Sequence, residues 1–138
     1  MVALFNECYR TIMERSQPNT EVIAVVDDDE SVRCAIHGVL NSAGLTARTF
    51  ASAEDFLRSE QLSETACMIL DIRMPGMSGL ELQQRLQKTG WSIPIIFITA
   101  CDDAKTKSQA LSGGAVAFLV KPFDNDILIA KARAALET

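Results

Sequence analysis

The chain has 138 residues, of which 48% are hydrophobic, and this is enough to bury a sizeable core in a single domain. Its net charge of −5 and isoelectric point near 4.8 argue against a surface that binds nucleic acid or anionic lipid. No apolar run is as long as a membrane span and no signal peptide is recognisable, which predicts a soluble, cytoplasmic protein. The four cysteines are too scattered for a zinc site or a disulfide framework.

Residues 1–20 are expected to form an N-terminal extension of the domain. Apolar side chains recur there at helical spacing, at Val2, Phe5, Tyr9, Ile12 and Met13. The polar segment from Gln17 to Thr20 then interrupts the pattern. This predicts a short amphipathic helix, which either packs on the domain or on a partner, or frays, because helices this short are marginal unless they are docked.

From Glu21 to Thr138, strand-like and helix-like segments alternate, which is typical of a parallel sheet covered by helices. The five predicted strands lie near residues 21–26, 45–50, 66–70, 95–98 and 115–120. The first helix is expected to bury one face and to end at Gly44. That face comprises Val32, Ala35, Ile36, Val39, Leu40 and Ala43.

The starts of the later helices are marked by residues that cap helices well. Ser52, Ser78 and Asp124 are the predicted N-caps of the second, third and last helices. The fourth helix is predicted over residues 103–112 and closes at a pair of glycines. Every crossover is then long enough for a right-handed βαβ unit.

Polar side chains follow four of the predicted strands at the point where each strand ends. Asp27, Asp28 and Asp29 follow the first, Asp71 the third, Thr99 the fourth and Lys121 the fifth. The carboxyl ends of parallel strands meet at one edge of a sheet, where α/β proteins build their sites. Acids, a hydroxyl and an ammonium are therefore expected to converge there.

These motifs, in this order, resemble the receiver domain of a bacterial two-component response regulator, over residues 21–138. The resemblance rests on the acid pair Asp27-Asp28, the loop from Asp71 to Gly79, Thr99-Ala100, and Lys121-Pro122-Phe123. It implies a five-stranded parallel sheet in the order 2-1-3-4-5, in a flavodoxin-like, doubly wound, three-layer α/β sandwich.

In that strand order, Asp27, Asp28 and Asp71 would crowd together and repel one another. A divalent cation that prefers oxygen ligands resolves the conflict, and Mg²⁺ suits a site with few carboxylates. The resemblance implies that Asp28, Asp71 and the backbone carbonyl of Arg73 ligate Mg²⁺, and that Asp27 acts through water. It also implies that Asp71 is the nucleophile that becomes phosphorylated.

The resemblance assigns further roles to residues after the fourth and fifth strands. Lys121, next to a cis bond to Pro122, would neutralise charge as the phosphoryl group is transferred. Thr99 would bind the phosphoryl oxygen, and Phe118 would move inward with it as the second switch residue. The surface of the fourth helix, fifth strand and fifth helix would then change and form the output, an interface for a homodimer or an effector.

The implied function is a phosphorylation-activated switch that receives its phosphoryl group from a sensor histidine kinase. Such a receiver catalyses its own phosphotransfer and autodephosphorylation but is not a metabolic enzyme. Its output would be transcriptional, through a DNA-binding domain absent from this chain. The alternative is a protein-interaction module that keeps the receiver fold but works without phosphorylation.

Individual residues also have simpler interpretations. Asp29 is expected only to cap the first helix, and Asp27 or Asp28 taken alone could do the same. His37 falls within that helix and is expected to be a surface or packing residue rather than a phosphodonor. Lys121 could be a solvated strand end, and Thr99 is by type an ordinary strand residue.

Two other classes of protein use related sheets. Phosphatases with an aspartate nucleophile usually need a second Asp two residues later, where this chain has Arg73. A flavodoxin-like cofactor binder needs amides and hydroxyls after the first strand, where this chain is acidic. The sequence disfavours both.

Overall fold

The order of strands and helices follows the predicted alternation closely. A computed structural model describes residues 21–137, so the N-terminal extension predicted from the sequence lies outside the described residues. The elements are β1 (Val22–Val26), α1 (Glu30–Ser42), β2 (Thr46–Phe50), α2 (Ala53–Arg58), a 3-10 turn (Leu62–Glu64), β3 (Thr65–Asp71), α3 (Gly79–Lys88), β4 (Ile95–Thr99), α4 (Ala104–Ser112), β5 (Ala117–Val120) and α5 (Asn125–Leu136).

The five strands form one parallel sheet in the order β2-β1-β3-β4-β5, which confirms the predicted fold class. In the pairing of β1 with β3, Val26 lies opposite Leu70, and in the pairing of β3 with β4, Leu70 lies opposite Phe97. The carboxyl ends of these three central strands are therefore level with one another. Whatever follows each strand is brought to the same edge of the sheet.

Helices cover both faces of the sheet, so the side chains of the central strands are buried on both sides. One core packs α2, α3 and α4 against alternate strand residues, with Phe56, Leu82 and Phe97 as fully buried members. The other core packs α1 and α5 against the remaining strand residues, including Ile36 and Leu128. The result is the predicted three-layer sandwich.

The predicted capping residues begin their helices. Ser52 and Ser78 accept hydrogen bonds from backbone amides of α2 and α3, and Asp124 does so for α5. Ser78 and Glu81 form a reciprocal capping box. Asp29 caps α1 by accepting from the amides of the first turn, as expected. His37 is exposed on the same helix.

Two sequence-based expectations are wrong in detail. Ala35 is exposed, because α1 buries a narrow stripe centred on Ile36 and Leu40, and Ala35 lies about 100° around the helix from Ile36. The last strand begins at Ala117 rather than at residue 115, and Val116 is 48% exposed. The pattern of apolar residues therefore predicted a buried face of α1 that is too wide and a last strand that is too long.

A buried amide links α3 to the carboxyl end of α4. Gln83 is only 3% exposed, and its side-chain amide donates to the carbonyl of Ala110 at 3.1 Å. Gln87, one turn later, donates to the carbonyl of Gly113. A Cβ added at Gly113 would lie 2.7 Å from the Gln83 amide oxygen. These two side chains satisfy carbonyl groups at the end of α4 that have no partner within the helix.

In the described part of the chain, no helix is long and apolar enough to cross a membrane.

Candidate functional site

Three carboxylates meet at the carboxyl edge of the sheet. Asp27 directly follows β1 and Asp71 is the last residue of β3, and these strands are hydrogen-bonded neighbours. One carboxylate oxygen from each of Asp27, Asp28 and Asp71 lies within 4.8 Å of the other two. Asp27 and Asp71 are buried, while Asp28 is exposed. The three acids therefore lie together as the sequence predicted, and the cluster is open to solvent on the side of Asp28.

Lys121 reaches into this cluster from the end of β5. Its Nζ lies 2.9 Å from Oδ2 of Asp27 and 3.8 Å from Oδ1 of Asp71. Its backbone N–H donates to the carbonyl of Thr99 at 2.7 Å, which joins the ends of β4 and β5. The peptide bond between Lys121 and Pro122 is cis. One ammonium thus contacts two carboxylates and offsets part of their charge.

The carboxyl group of Asp71 is hard to ionise in this position. Burial and then the charge of Asp27 raise its pKa from 3.8 to about 6, although Lys121 acts in the opposite direction. A divalent cation beside Asp71 would favour the ionised form. The electrostatics of the site therefore favour the binding of positive charge between the acids.

The carboxylate of Asp27 is held in place by its neighbours. The backbone N–H of Asp29 donates to its Oδ1 at 2.9 Å, and Lys121 holds its other oxygen. Arg33, one turn into α1, donates to the backbone carbonyl of Asp27 at 2.7 Å. The start of α1 is thereby fastened to the cluster, and this role of Arg33 was not predicted from the sequence.

Thr99 ends β4 beside the cluster and is almost fully buried. Its hydroxyl oxygen accepts a hydrogen bond from the backbone N–H of Cys101 at 3.2 Å. Phe118, on β5, is half-buried and packs against the core beneath α2, α3 and α4. In the sheet it lies opposite Phe97, which is two residues before Thr99 on β4. Both predicted switch residues thus lie on neighbouring strands.

The loop after Asp71 is anchored by a residue on another helix. Arg73 is exposed in this loop. The Glu54 carboxylate, on α2, accepts a hydrogen bond from the backbone N–H of Met77 at 3.0 Å. A hydrogen bond from the backbone amide of Glu54 itself, and then the one from Met77, lower the pKa of the Glu54 carboxyl group. Gly76 has φ +79°, and a Cβ there would lie 2.7 Å from the Glu54 carboxylate. Glu54 was not predicted from the sequence.

Gly79 is required by close packing at the start of α3. A Cβ at this position would lie 2.3 Å from the carbonyl oxygen of Asp71 and 3.0 Å from Cα of Ile72. The N–H of Gly79 also donates to the carbonyl of Ile72 at 2.8 Å. The helix thus begins in direct contact with the backbone that carries Asp71. The only sequence signal was its place in the motif from Asp71 to Gly79.

The donor set of the acid cluster fits a hard cation. All three side chains offer carboxylate oxygens, which suit Mg²⁺ or Ca²⁺ rather than softer metals. With few protein oxygens, such a site leaves positions for water or a phosphate oxygen, which is typical of Mg²⁺. Among residues 21–137, this is the one group of three or more acids, cysteines or histidines close enough to hold a metal ion.

The chain belongs to the response regulator receiver family. Residues 23–133 match the family model described as the response regulator receiver domain. The transcriptional regulatory protein TdiR of Thauera aromatica is 45% identical over 118 residues, which cover 86% of this chain and 52% of that protein. The response regulator protein TodT of Pseudomonas putida is 40% identical over 128 residues, covering 93% and 56%. The chain thus spans about half the length of these curated relatives.

Solved structures give the same result. The response regulator StyR superposes with a TM-score of 0.79 at 42% identity, covering 85% of this chain and 59% of that one. FixJ-N gives 0.77 at 34% identity, covering 85% and 94%. A DrrB receiver domain, described as BeF3 activated, gives 0.77 at 30% identity, covering 86% and 98%. The resemblance inferred from the motifs is confirmed at the level of family and fold.

We expect Gly79→Ala to destabilise the protein by about 1–3 kcal/mol, because the added methyl group forces the backbone at Asp71 to move. Gly38→Ala is the matched control. It lies on α1, where a Cβ meets nothing within 4 Å, and it should stabilise the helix by about 0.5–1 kcal/mol. Urea denaturation measures both. Equal effects of the two substitutions would contradict the proposed contact.

The raised pKa of Asp71 predicts a pH-dependent effect of Asp71→Asn in EDTA. Between pH 3.8 and about 6 the folded protein binds more protons at Asp71 than the unfolded chain, so this group lowers stability as pH rises through that window. Asn carries no such penalty. The variant should therefore gain about 1–3 kcal/mol over wild type above pH 7, and the gain should disappear as the pH falls below 3.8.

Urea denaturation at a series of pH values measures this gain. Asp102→Asn is the control, because Asp102 is exposed and outside the cluster but carries the same charge. A gain for Asp71→Asn that is independent of pH would show that the ionisation of the buried Asp71 carboxyl group is not its origin.

Proposed function

We propose that the chain is a phosphorylation-activated switch in which Asp71 accepts a phosphoryl group from a sensor histidine kinase. One observation carries the proposal. Asp71 lies at the same time within a cluster of carboxylates that fits Mg²⁺ and 3.8 Å from the ammonium of Lys121. A carboxylate placed between two centres of positive charge is suited to attack phosphorus, since both stabilise the charge of the transferring group.

The metal-binding residues in this proposal are Asp28 and Asp71, with the backbone carbonyl of Arg73, while Asp27 acts through water. The supporting observations are the mutual distances of the three acids and the exposure of Asp28, which leaves a path for the ion. When bound, Mg²⁺ would neutralise negative charge on the phosphoryl oxygens. The contact of Asp27 with Lys121 keeps its charge partly compensated when no phosphoryl group is present.

The chemical step needs no other catalytic side chain. An oxygen of Asp71 attacks the phosphorus, the N–P bond of the donor phosphohistidine breaks, and an acyl phosphate forms. Lys121 donates to an oxygen of the transferring group and so stabilises the charge that develops. Attack of water on the phosphorus then breaks the bond between phosphorus and the Asp71 oxygen, which releases inorganic phosphate and restores the carboxylate. The chain thus catalyses its own phosphotransfer and autodephosphorylation, without acting on a diffusible metabolite.

Thr99 and Phe118 form the proposed switch. The hydroxyl of Thr99 accepts a hydrogen bond from the backbone N–H of Cys101. The hydroxyl proton of Thr99 is therefore available to donate to a phosphoryl oxygen on Asp71. Phe118 is only half-buried, which leaves room for further burial as the loop after Thr99 moves. Movement of both would reshape the surface made by α4, β5 and α5. Leu111 on α4 and Ile127 on α5 are exposed by 43% and 48%, which supports an apolar homodimer interface there.

The downstream output in this proposal is control of transcription through a DNA-binding domain outside this chain. Relatives of about twice the length are named transcriptional regulators. The net charge of −5 supports the view that this chain does not itself contact DNA. Residues 21–138 would be the receiver domain and residues 1–20 an extension.

The first test is intact-mass analysis after incubation with acetyl phosphate, with Mg²⁺ or with EDTA. Wild type should gain one phosphoryl group with Mg²⁺ and none with EDTA, and Asp71→Ala should gain none in either. Asp102→Ala is the control, since it removes an acid that lies outside the cluster, and it should be labelled like wild type. No labelling with any donor would favour a protein-interaction module that works without phosphorylation.

The switch is tested by Thr99→Val, which keeps the shape of the side chain but removes the hydroxyl. The variant should still be phosphorylated, but the NMR shifts of the Phe118 ring should lose most of their response to phosphorylation. Thr99→Ser should keep the response, because it keeps the hydroxyl. Thr49→Val, on the exposed edge strand β2, is the control. A full Phe118 response in Thr99→Val would remove Thr99 from the switch.

A further inference from the structure

A groove lined by both polar and apolar side chains lies at the end of the sheet opposite to Asp71. It has a volume of about 630 Å³ and is lined where β3, β4 and β5 begin and where α5 ends. Its apolar lining comes mainly from Ile93, Pro94, Val116 and Leu136. Because the strands are parallel, this amino edge is separated from the acid cluster by the length of the strands. The groove is therefore not part of the phosphorylation site.

Val116 gives this groove a large apolar side chain that is exposed to solvent. It is 48% exposed, and among residues 21–137 only Leu111 and Ile127 are other large apolar side chains with comparable exposure. Those two belong to α4 and α5 and were assigned above to the output surface. Val116 instead precedes β5, next to apolar side chains from the segment before β4. An apolar cluster of this kind is stabilised when another apolar surface covers it.

The chain itself supplies such a surface at the right place. Glu21 lines the groove, and it is the residue at which the first 20 residues join the domain. The apolar residues of that segment recur at the spacing of one helical face, from Val2 to Met13. The segment between Met13 and Glu21 can span up to about 26 Å when extended, so the apolar face can fold back onto the groove.

The charges of the segment are compatible with that orientation. Glu7, Arg10, Glu14 and Arg15 carry both signs and no net charge. They fall outside the apolar face, and the pairs Glu7–Arg10 and Arg10–Glu14 have the i,i+3 and i,i+4 spacing of side chains that interact on a solvated helix surface. Docking of the apolar face would leave these charges in water. Attachment at Glu21 also gives the segment a high effective concentration at the groove.

We propose that the apolar face of residues 2–13 docks into the groove formed by Ile93, Pro94, Val116 and Leu136 of the same chain. The docked segment covers the amino edge of the sheet. This interaction does not depend on phosphorylation, so it can be tested without any phosphodonor.

The test is amide hydrogen exchange measured by mass spectrometry on the full chain. Phe5→Ser, on the apolar face, should speed exchange in peptides that contain residues 92–94 and 114–116 by about fivefold. Leu4→Ser is the matched control: it removes an apolar side chain of similar size that lies off that face. Equal effects of the two variants, or no effect of either, would overturn the proposal.

The groove is tested from its own side with Val116→Ser. This variant should speed exchange within residues 2–13 by a similar factor, whereas Ile127→Ser, equally exposed on α5, should not. Two further outcomes would overturn the proposal. Protection that grows with protein concentration would mean that the groove holds the segment of a second copy. Protection of the groove that survives Phe5→Ser would mean that another part of the chain covers it.

Discussion

The register of β1 against β3 is the constraint on which the site depends. Val26 is paired with Leu70, so the chain must leave both strands at the same height, and the residues that follow are Asp27 and Asp71. The pairing is fixed by the buried apolar side chains on both faces of the two strands, since a slip of one residue would exchange the faces. Hydrophobic packing thus holds together charges that repel each other, and Lys121 offsets only part of that repulsion.

The surroundings of the site show how such a strained arrangement is kept in place. Arg33 fastens the start of α1 to the backbone of Asp27, and Glu54 fastens the loop after Asp71 to α2. Gly79 lets α3 begin against the carbonyl group of Asp71. These contacts involve three different helices, so the acids are positioned by the whole carboxyl edge of the domain. In both hydrogen bonds one partner is a backbone group, so these contacts fix the path of the main chain that carries the acids.

Much of this could be predicted from the sequence because the signals are local. Strand ends, caps such as Ser78 and the acids after each strand are determined by residues a few positions apart. The roles of Arg33, Glu54 and Gln83 could not be predicted, because each acts on a distant part of the chain or on a backbone group. The exposure of Ala35 was missed for a related reason. Periodicity gives the direction of an apolar face, but the width of the buried part depends on what packs against it.

The contact between Gln83 and Gly113 limits how this sequence can change over time. The Gln83 amide fills the space that a Cβ at position 113 would need, so a side chain at 113 is tolerated only if residue 83 becomes smaller or turns away. Loss of the amide alone would leave the carbonyl of Ala110 with one donor, the backbone N–H of Ala115. The dependence runs in one direction: a side chain at position 113 depends on the residue at position 83, 30 positions earlier, whereas Gln83 can be replaced first. The order of the two replacements is thereby constrained, because the variant with a side chain at position 113 and Gln83 still in place is the less stable intermediate.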